Sequence, residues 1–400
     1  MTEVRRRCVF YVSGFDPKGA PYYHKLYAEQ SARQSRLNGW HYEVGNRRRT
    51  AEGAPFWTIR AADGAGADVE THYEFMRWDD IVRAHWPKST PALWRAIVRT
   101  SLYYIRHGAL QRMMRFSWPP GLALTLPFVL LAAVFVGAPL IGVATLLLMY
   151  GAGFPLWLGA AGGVLLAAVV AGLAYGIERR LSLYWIMRSY AFSARQAKGE
   201  VPALEERLDE HARRLVRRVA ENVDDEILIV GHSSGIVMAL SILARAAALD
   251  PDLDRRGPKL NLLSLGQWVP VVGALPTAAG FRAEMVRAAC LPGVEWLDFS
   301  APPDGCCFAL ADPFEVCGVA RPAGAPVRPK LLNPRFAHMF DAKPYEALRK
   351  DRLALHFQYL MASDKATDYD YFLITAGPLS LDARYAEAPS ITDFRRLRLF

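Results

Sequence analysis

Glu226-Ile227-Leu228-Ile229-Val230-Gly231-His232-Ser233-Ser234-Gly235 decides how the rest of the chain is read. An apolar run of strand length, as found in a strand buried on both faces of a parallel sheet, leads directly into a serine set between two glycines. Ile236 to Leu249 then continues as helix-compatible sequence. Strand, glycine-flanked serine and helix together make a nucleophile elbow. In such a turn the serine is strained with its hydroxyl exposed, and a Cβ at either flanking position would strike the neighbouring backbone. The bare pattern G-x-S-x-G arises by chance in roughly one of every six to ten chains of this length, so the flanking strand and helix carry the signal. Ser233 is the candidate nucleophile.

Upstream of this stretch, Trp118 to Ile177 contains no Lys, Arg, Asp or Glu. A bilayer crossing needs about 20 apolar residues, and two crossings fit: Pro120 to Leu147, and Leu156 to Ile177. Tyr150-Gly151-Ala152-Gly153-Phe154-Pro155 reads as the turn of a helical hairpin. Pro139 marks a site for a kink. Arg95, Arg99, Arg106, Arg112 and Arg115 precede the block, Arg179, Arg180 and Arg188 follow it, and the turn is uncharged. The positive-inside rule then places both ends in the cytoplasm, with the chain in the inner (cytoplasmic) membrane. Gly159 with Gly163, and Gly172 with Gly176, give two G-x-x-x-G spacings that let the second helix approach either the first or another copy of the chain. The division that follows is 1–117, the hairpin 118–177, and 178–400, and deleting the hairpin is expected to release a soluble domain.

The formal net charge is +9, yet much of the arginine excess clusters beside the hairpin, where anionic headgroups are the natural counter-charge. No zinc-finger or RNA-binding signature accompanies it, so nucleic acid is not an expected partner. Arg47-Arg48-Arg49 reads as a solvated loop with membrane contact as the alternative. The five cysteines, Cys8, Cys290, Cys306, Cys307 and Cys317, lack zinc-like C-x-x-C pairs and fit a reducing compartment. Neither a metal nor another cofactor is expected.

Strand-like runs recur at Cys8 to Val12, Trp40 to Val44, Phe56 to Ala61, Val69 to Trp78, Leu260 to Leu265, Val294 to Phe299 and Tyr369 to Thr375. Helical patterns span Tyr22 to Leu37, Asp79 to Trp86 and Leu204 to Val223, and Pro91 to Phe116 and Leu181 to Ala197 read as amphipathic helices on the membrane surface. After the elbow, strands and helices alternate. The expected fold class is α/β, with a mainly parallel sheet flanked by helices and interrupted by the hairpin, and catalytic groups belong at the carboxyl ends of the strands.

The elbow, the strand and loop Val9-Phe10-Tyr11-Val12-Ser13-Gly14-Phe15, and the chain order serine, acid, histidine resemble the α/β-hydrolase superfamily. Leu263-Ser264-Leu265-Gly266-Gln267 followed by Phe299-Ser300-Ala301-Pro302-Pro303-Asp304 is similar to its lipase branch, where the loop after the second of two such strands carries the acid. Ser13 departs from the histidine usual before the oxyanion glycine. The resemblance implies a serine hydrolase of carboxylic, chiefly lipid or acyl, esters, bound to the bilayer. Acyltransferase and thioesterase chemistry use the same elbow, and a non-catalytic membrane scaffold is the reading outside enzymology.

A serine hydroxyl needs a histidine to take its proton and a carboxylate to orient that imidazole. Asp304 lies in a Pro-Pro-Asp-Gly turn beyond the strand, whereas Asp298 lies inside it; Asp304 is favoured, and Asp312 is a third candidate read first as a turn former. Only His338 and His356 follow the acid. His356 is chosen as base with His338 as the alternative, although the strand expected at Tyr369 to Thr375 follows both. His232 and His211 are weaker candidates. The backbone N–H of Ser234 and that of Gly14 or Phe15 would form the oxyanion hole. Tyr22, Tyr23, Trp268 and Phe308 are candidates to line an acyl pocket, and the glycine face of the hairpin is a candidate for self-association.

Overall fold

The structure, a computed structural model, describes residues 3–399. Among them nine strands form one sheet: β1 (Arg6–Val12), β2 (His41–Val44), β3 (Arg48–Arg49), β4 (Pro55–Ala62), β5 (Asp68–Phe75), β6 (Glu226–His232), β7 (Lys259–Leu265), β8 (Val294–Phe299) and β9 (Lys330–Leu332). The order is β2-β4-β5-β1-β6-β7-β8-β9, with β3 beside β4. The strands from β5 to β9 are parallel, while β4 runs antiparallel to β5, and β2 and β3 antiparallel to β4. The α/β class and the mainly parallel sheet are as expected.

The alternation of side chains along the strands explains the two cores. Cys8, Phe10, Ile227, Ile229, Leu260 and Leu262 face one side, under the helices Gly235–Leu249, Pro202–Glu221 and Ala279–Ala289. Val9, Tyr11, Leu228, Val230, Leu263 and Leu265 face the other, under Ala20–Asn38 and the C-terminal segments. The central strands are therefore apolar on both faces, which is why Ile227–Val230 reads as a continuous run.

Three segments differ from the sequence reading. Tyr371–Ala376 is a helix, not a strand: Asp370 accepts hydrogen bonds from the N–H groups of Phe372 and Leu373 and starts a turn that overrides the β propensity of Tyr-Phe-Leu-Ile-Thr. The last strand is instead β9, three residues long, which precedes both His338 and His356. The stretch Pro91 to Phe116 is two helices, Thr90–Arg106 and Ala109–Phe116, because Gly108 takes a left-handed conformation (φ 66°) between them. Neither lies free on a surface. Ile97, Tyr104, Leu110 and Met113 are in the first core, as are Met187 and Tyr190 of the following helix Leu183–Ala197.

Two helices are long and apolar enough to cross a membrane, Trp118–Gly151 and Leu156–Leu181. The first is continuous through Pro139 because Ala133–Gly137 adopts a π-helical turn, which absorbs the hydrogen bond that proline cannot donate. Its lower part belongs to the body: Ala123, Leu124 and Leu131 lie in the first core, and Pro120 O accepts a bond from Tyr190 OH at 2.7 Å. Farther along, the apolar side chains face outward, with Leu148 74% and Val164 71% exposed. The two helices touch through glycine. A Cβ on Gly163 would stand 2.5 Å from Gly142 O, so Gly159 and Gly163 pack against the first helix, whereas Gly172 and Gly176 face open space.

Candidate active site

The parallel register aligns the ends of β1, β6, β7 and β8, so that the residues after each strand meet along one edge. Val12 pairs with Gly231, His232 with Leu265, and Leu265 with Phe299. Ser233 follows at the tip of β6 with φ 56°, a left-handed conformation that costs a serine strain and is held by its N–H bond to Leu265 O at 2.8 Å. Both flanking glycines are obligatory. A Cβ on Gly231 would come within 2.5 Å of Ile236 Cα, and one on Gly235 would collide with Val12 O. Ser233 is half-buried at the edge, and Gly14 lies so close that a Cβ there would be 3.0 Å from Ser233 Cβ.

Asp304 and His356 meet at this edge. His356 Nδ1 donates to Asp304 Oδ2 at 2.8 Å, and both residues are 1% exposed. Asp304 Oδ2 also accepts from Tyr359 OH at 3.1 Å, and Oδ1 accepts from Cys306 N–H at 2.9 Å. Burial alone would raise the Asp304 carboxyl, but the charge and hydrogen bond of His356, with the Cys306 N–H, outweigh it and hold the carboxyl below its ordinary value. The imidazole packs over Gly266, where a Cβ would stand 3.3 Å from His356 Cε1. Ser233 Oγ itself makes no hydrogen bond among the described residues. The Asp304 carboxylate thus fixes the orientation of the His356 imidazole, while no hydrogen bond joins His356 to Ser233.

The remaining sequence candidates fall elsewhere. Asp298 is fully buried and accepts from Ser264 Oγ at 2.6 Å and Ser300 Oγ at 2.7 Å; burial pushes its carboxyl up to about 7. Asp312 caps the short helix Pro313–Cys317 and pairs with Arg321. His338 is exposed in the turn after β9. His211 is buried on the Pro202–Glu221 helix with its Nε2 on Arg77 O. Of the two alternatives for the second oxyanion donor, the Phe15 N–H is already donated to Ser234 Oγ at 2.8 Å, which leaves Gly14. The N–H groups of Ser234 and Gly14 have no partner among the described residues. Tyr23, Trp268 and Phe308 are buried in the cores instead of lining an open pocket, and only Tyr22 is partly exposed.

Tyr359 was not read from the sequence as part of the site, and His232 was read there only as a weaker candidate for the base. Tyr359, three residues after His356, braces the acid and accepts from Ala301 N–H at 2.8 Å. His232, one residue before the nucleophile, donates from Nε2 to the His356 carbonyl at 3.0 Å; burial holds its pKa down to about 3, so the ring is neutral. Gln267 ties down the acid loop through Phe308 O and Ala311 O. Asp304, Cys306 and His356 also place ligand atoms within 4.8 Å of one another. Burial pushes the Cys306 thiol well up, and three donors already fill the Asp304 oxygens, so the set suits an acid–base pair better than an ion. The acid loop reaches the hairpin: a Cβ on Gly305 would lie 3.6 Å from Pro119. No protein family, curated protein or solved structure matches this chain.

Proposed function

We propose that the protein is a membrane-anchored serine hydrolase of the α/β-hydrolase type that cleaves carboxylic esters of lipid or acyl character through an acyl-enzyme on Ser233. The observation that carries this reading is the placement of a positive-φ serine and a buried histidine–aspartate pair at the same carboxyl edge of parallel strands. His356 Nε2 takes the Ser233 proton as Oγ adds to the ester carbonyl. The oxyanion forms against the N–H groups of Ser234 and Gly14, and His356 returns the proton to the leaving alkoxide. Water, deprotonated by the same imidazole, then releases the acid. Asp304, kept ionised, stabilises the imidazolium in both halves.

The hairpin supports the lipid part of the reading. The outward-facing stretch of the first helix, residues 133–151, is about 28 Å long at 1.5 Å per residue, which matches a hydrocarbon core of about 30 Å. The flanking arginines favour a cytoplasmic position for the catalytic domain at the inner membrane. In detergent, the full chain is expected to hydrolyse p-nitrophenyl butyrate. Ser233→Ala is expected to lower turnover by about a thousandfold or more; undiminished turnover in that variant contradicts the assignment.

A further inference from the structure

The run Arg47-Arg48-Arg49 is exposed but held by the sheet. Pairing of β3 with β4 turns it toward the end of β5, where Arg77 follows the strand and Arg83 lies on the helix Asp79–Ala84. The five arginines, with Gly19 to Pro21, line a cavity of about 550 Å³. One carboxylate shares it, the buried Asp79, which pairs with Arg77 at 3.2 Å and Arg83 at 2.5 Å. Arg47 and Arg48 have no carboxylate partner among the described residues. Guanidinium groups converging on a concave wall, with one acid among five, repel one another unless an anion joins them, and their planar forks suit phosphate oxygens. The uncapped start of the Ala20–Asn38 helix, with no acid in its first turn, adds positive potential to the same wall.

One loop ties the cavity to the catalytic edge. Gly14, against Ser233, and Gly19, at the cavity, are five residues apart on one loop, so at most about 18 Å separates them. Between them Lys18 places its ammonium 4.1 Å from the Tyr22 ring and 5.4 Å from the ring of Phe357, the neighbour of His356. We propose that this cavity holds a phosphate or pyrophosphate group of the substrate, so that Ser233 acts on phosphorylated acyl esters or thioesters. This rests on the hydrolase reading for the reaction but not for the binding. Two sources share the chemistry: the headgroup of an anionic phospholipid, and a soluble phosphorylated carrier such as a coenzyme A thioester.

Titration of the full-length protein in neutral detergent with inorganic pyrophosphate tests the site without turnover. Wild type and Ser233→Ala are expected to bind it saturably and equally, and Arg47→Glu/Arg48→Glu to bind at least about tenfold more weakly. Fluorophosphonate labelling of Ser233 reports that the charge-reversed protein is folded, and Arg47→Gln/Arg48→Gln replaces it if labelling is lost. KM is then compared for palmitoyl-coenzyme A and for phosphatidylglycerol in mixed micelles. The substrate whose KM rises about tenfold or more in the variant names the source. Absent pyrophosphate binding, or binding unchanged in both arginine variants, overturns the site. A wild type that binds pyrophosphate but hydrolyses no ester instead overturns the hydrolase reading alone.

Discussion

Asp304 is held by three donors, and each does a different job. His356 is the group it serves, Cys306 N–H fixes the loop, and Tyr359 OH sets the carboxylate plane. Removing the last is informative, because Tyr359→Phe keeps the ring that packs against Phe336 and deletes the bond to the Asp304 carboxylate, together with the one accepted from Ala301 N–H. A bond to a charged group contributes about 1.5–3 kcal/mol, so kcat/KM is expected to fall by about tenfold to a hundredfold with KM little changed, measured on p-nitrophenyl butyrate. At this scale the sequence shows what is local. The glycines around Ser233 are legible because a turn of that curvature allows no Cβ, and Asp304 because Pro-Pro-Asp-Gly leaves the strand at the edge. The parts played by Tyr359 and His232 were not, since their bonds run to residues that only the folded chain brings near. His211 carries a pH signature: burial lowers its pKa from 6.5 to about 3 in the folded protein. Between those values the unfolded chain binds a proton that the folded one does not, so this residue's contribution falls as pH drops through 6.5 toward 3. Urea midpoints of wild type should fall more steeply over that range than those of His211→Gln.

Among the elements, β1 and β6 are joined at their starts by an ion pair with both side chains fully buried. Arg7 Nε meets Glu226 Oε2 at 2.6 Å, and the remaining groups reach Gly377 O, Leu379 O, Asn261 and the Leu381 N–H. The pair stitches the C-terminal segment onto the amino ends of the central strands. Arg7→Met strands the carboxylate in the core and is expected to destabilise by about 3–5 kcal/mol, read from equilibrium denaturation; a loss under about 1 kcal/mol contradicts this role. Long elements were legible from their period, as with Ala20–Asn38 and Pro202–Glu221. The short β9 offered too few residues for any alternation to register. Tyr371–Ala376 misled because its aromatic and β-branched content outweighed the cap signal of Asp370.

For the whole molecule, the hairpin grows out of the α/β body instead of hanging from it. Leu124 and Leu131 are core residues, and Tyr190 and Ser101 bond to carbonyls of the same helix. Removal of residues 118–177 is therefore expected to unfold the protein, since each lost core leucine costs about 2–5 kcal/mol. Replacing residues 134–173 with a short flexible linker should leave a folded domain in the soluble fraction, and a folded 118–177 deletion contradicts this division. The uncharged length of the block was plain in the sequence, but which of its turns are core depends on packing that composition does not encode.

The central claim is that Ser233 is an activated nucleophile. Mass-spectrometric mapping of a fluorophosphonate adduct on the detergent-solubilised full chain tests it most directly. The adduct is expected on Ser233 in wild type and nowhere in folded Ser233→Ala; a folded wild type left unmodified, or modification that persists in the variant, contradicts it.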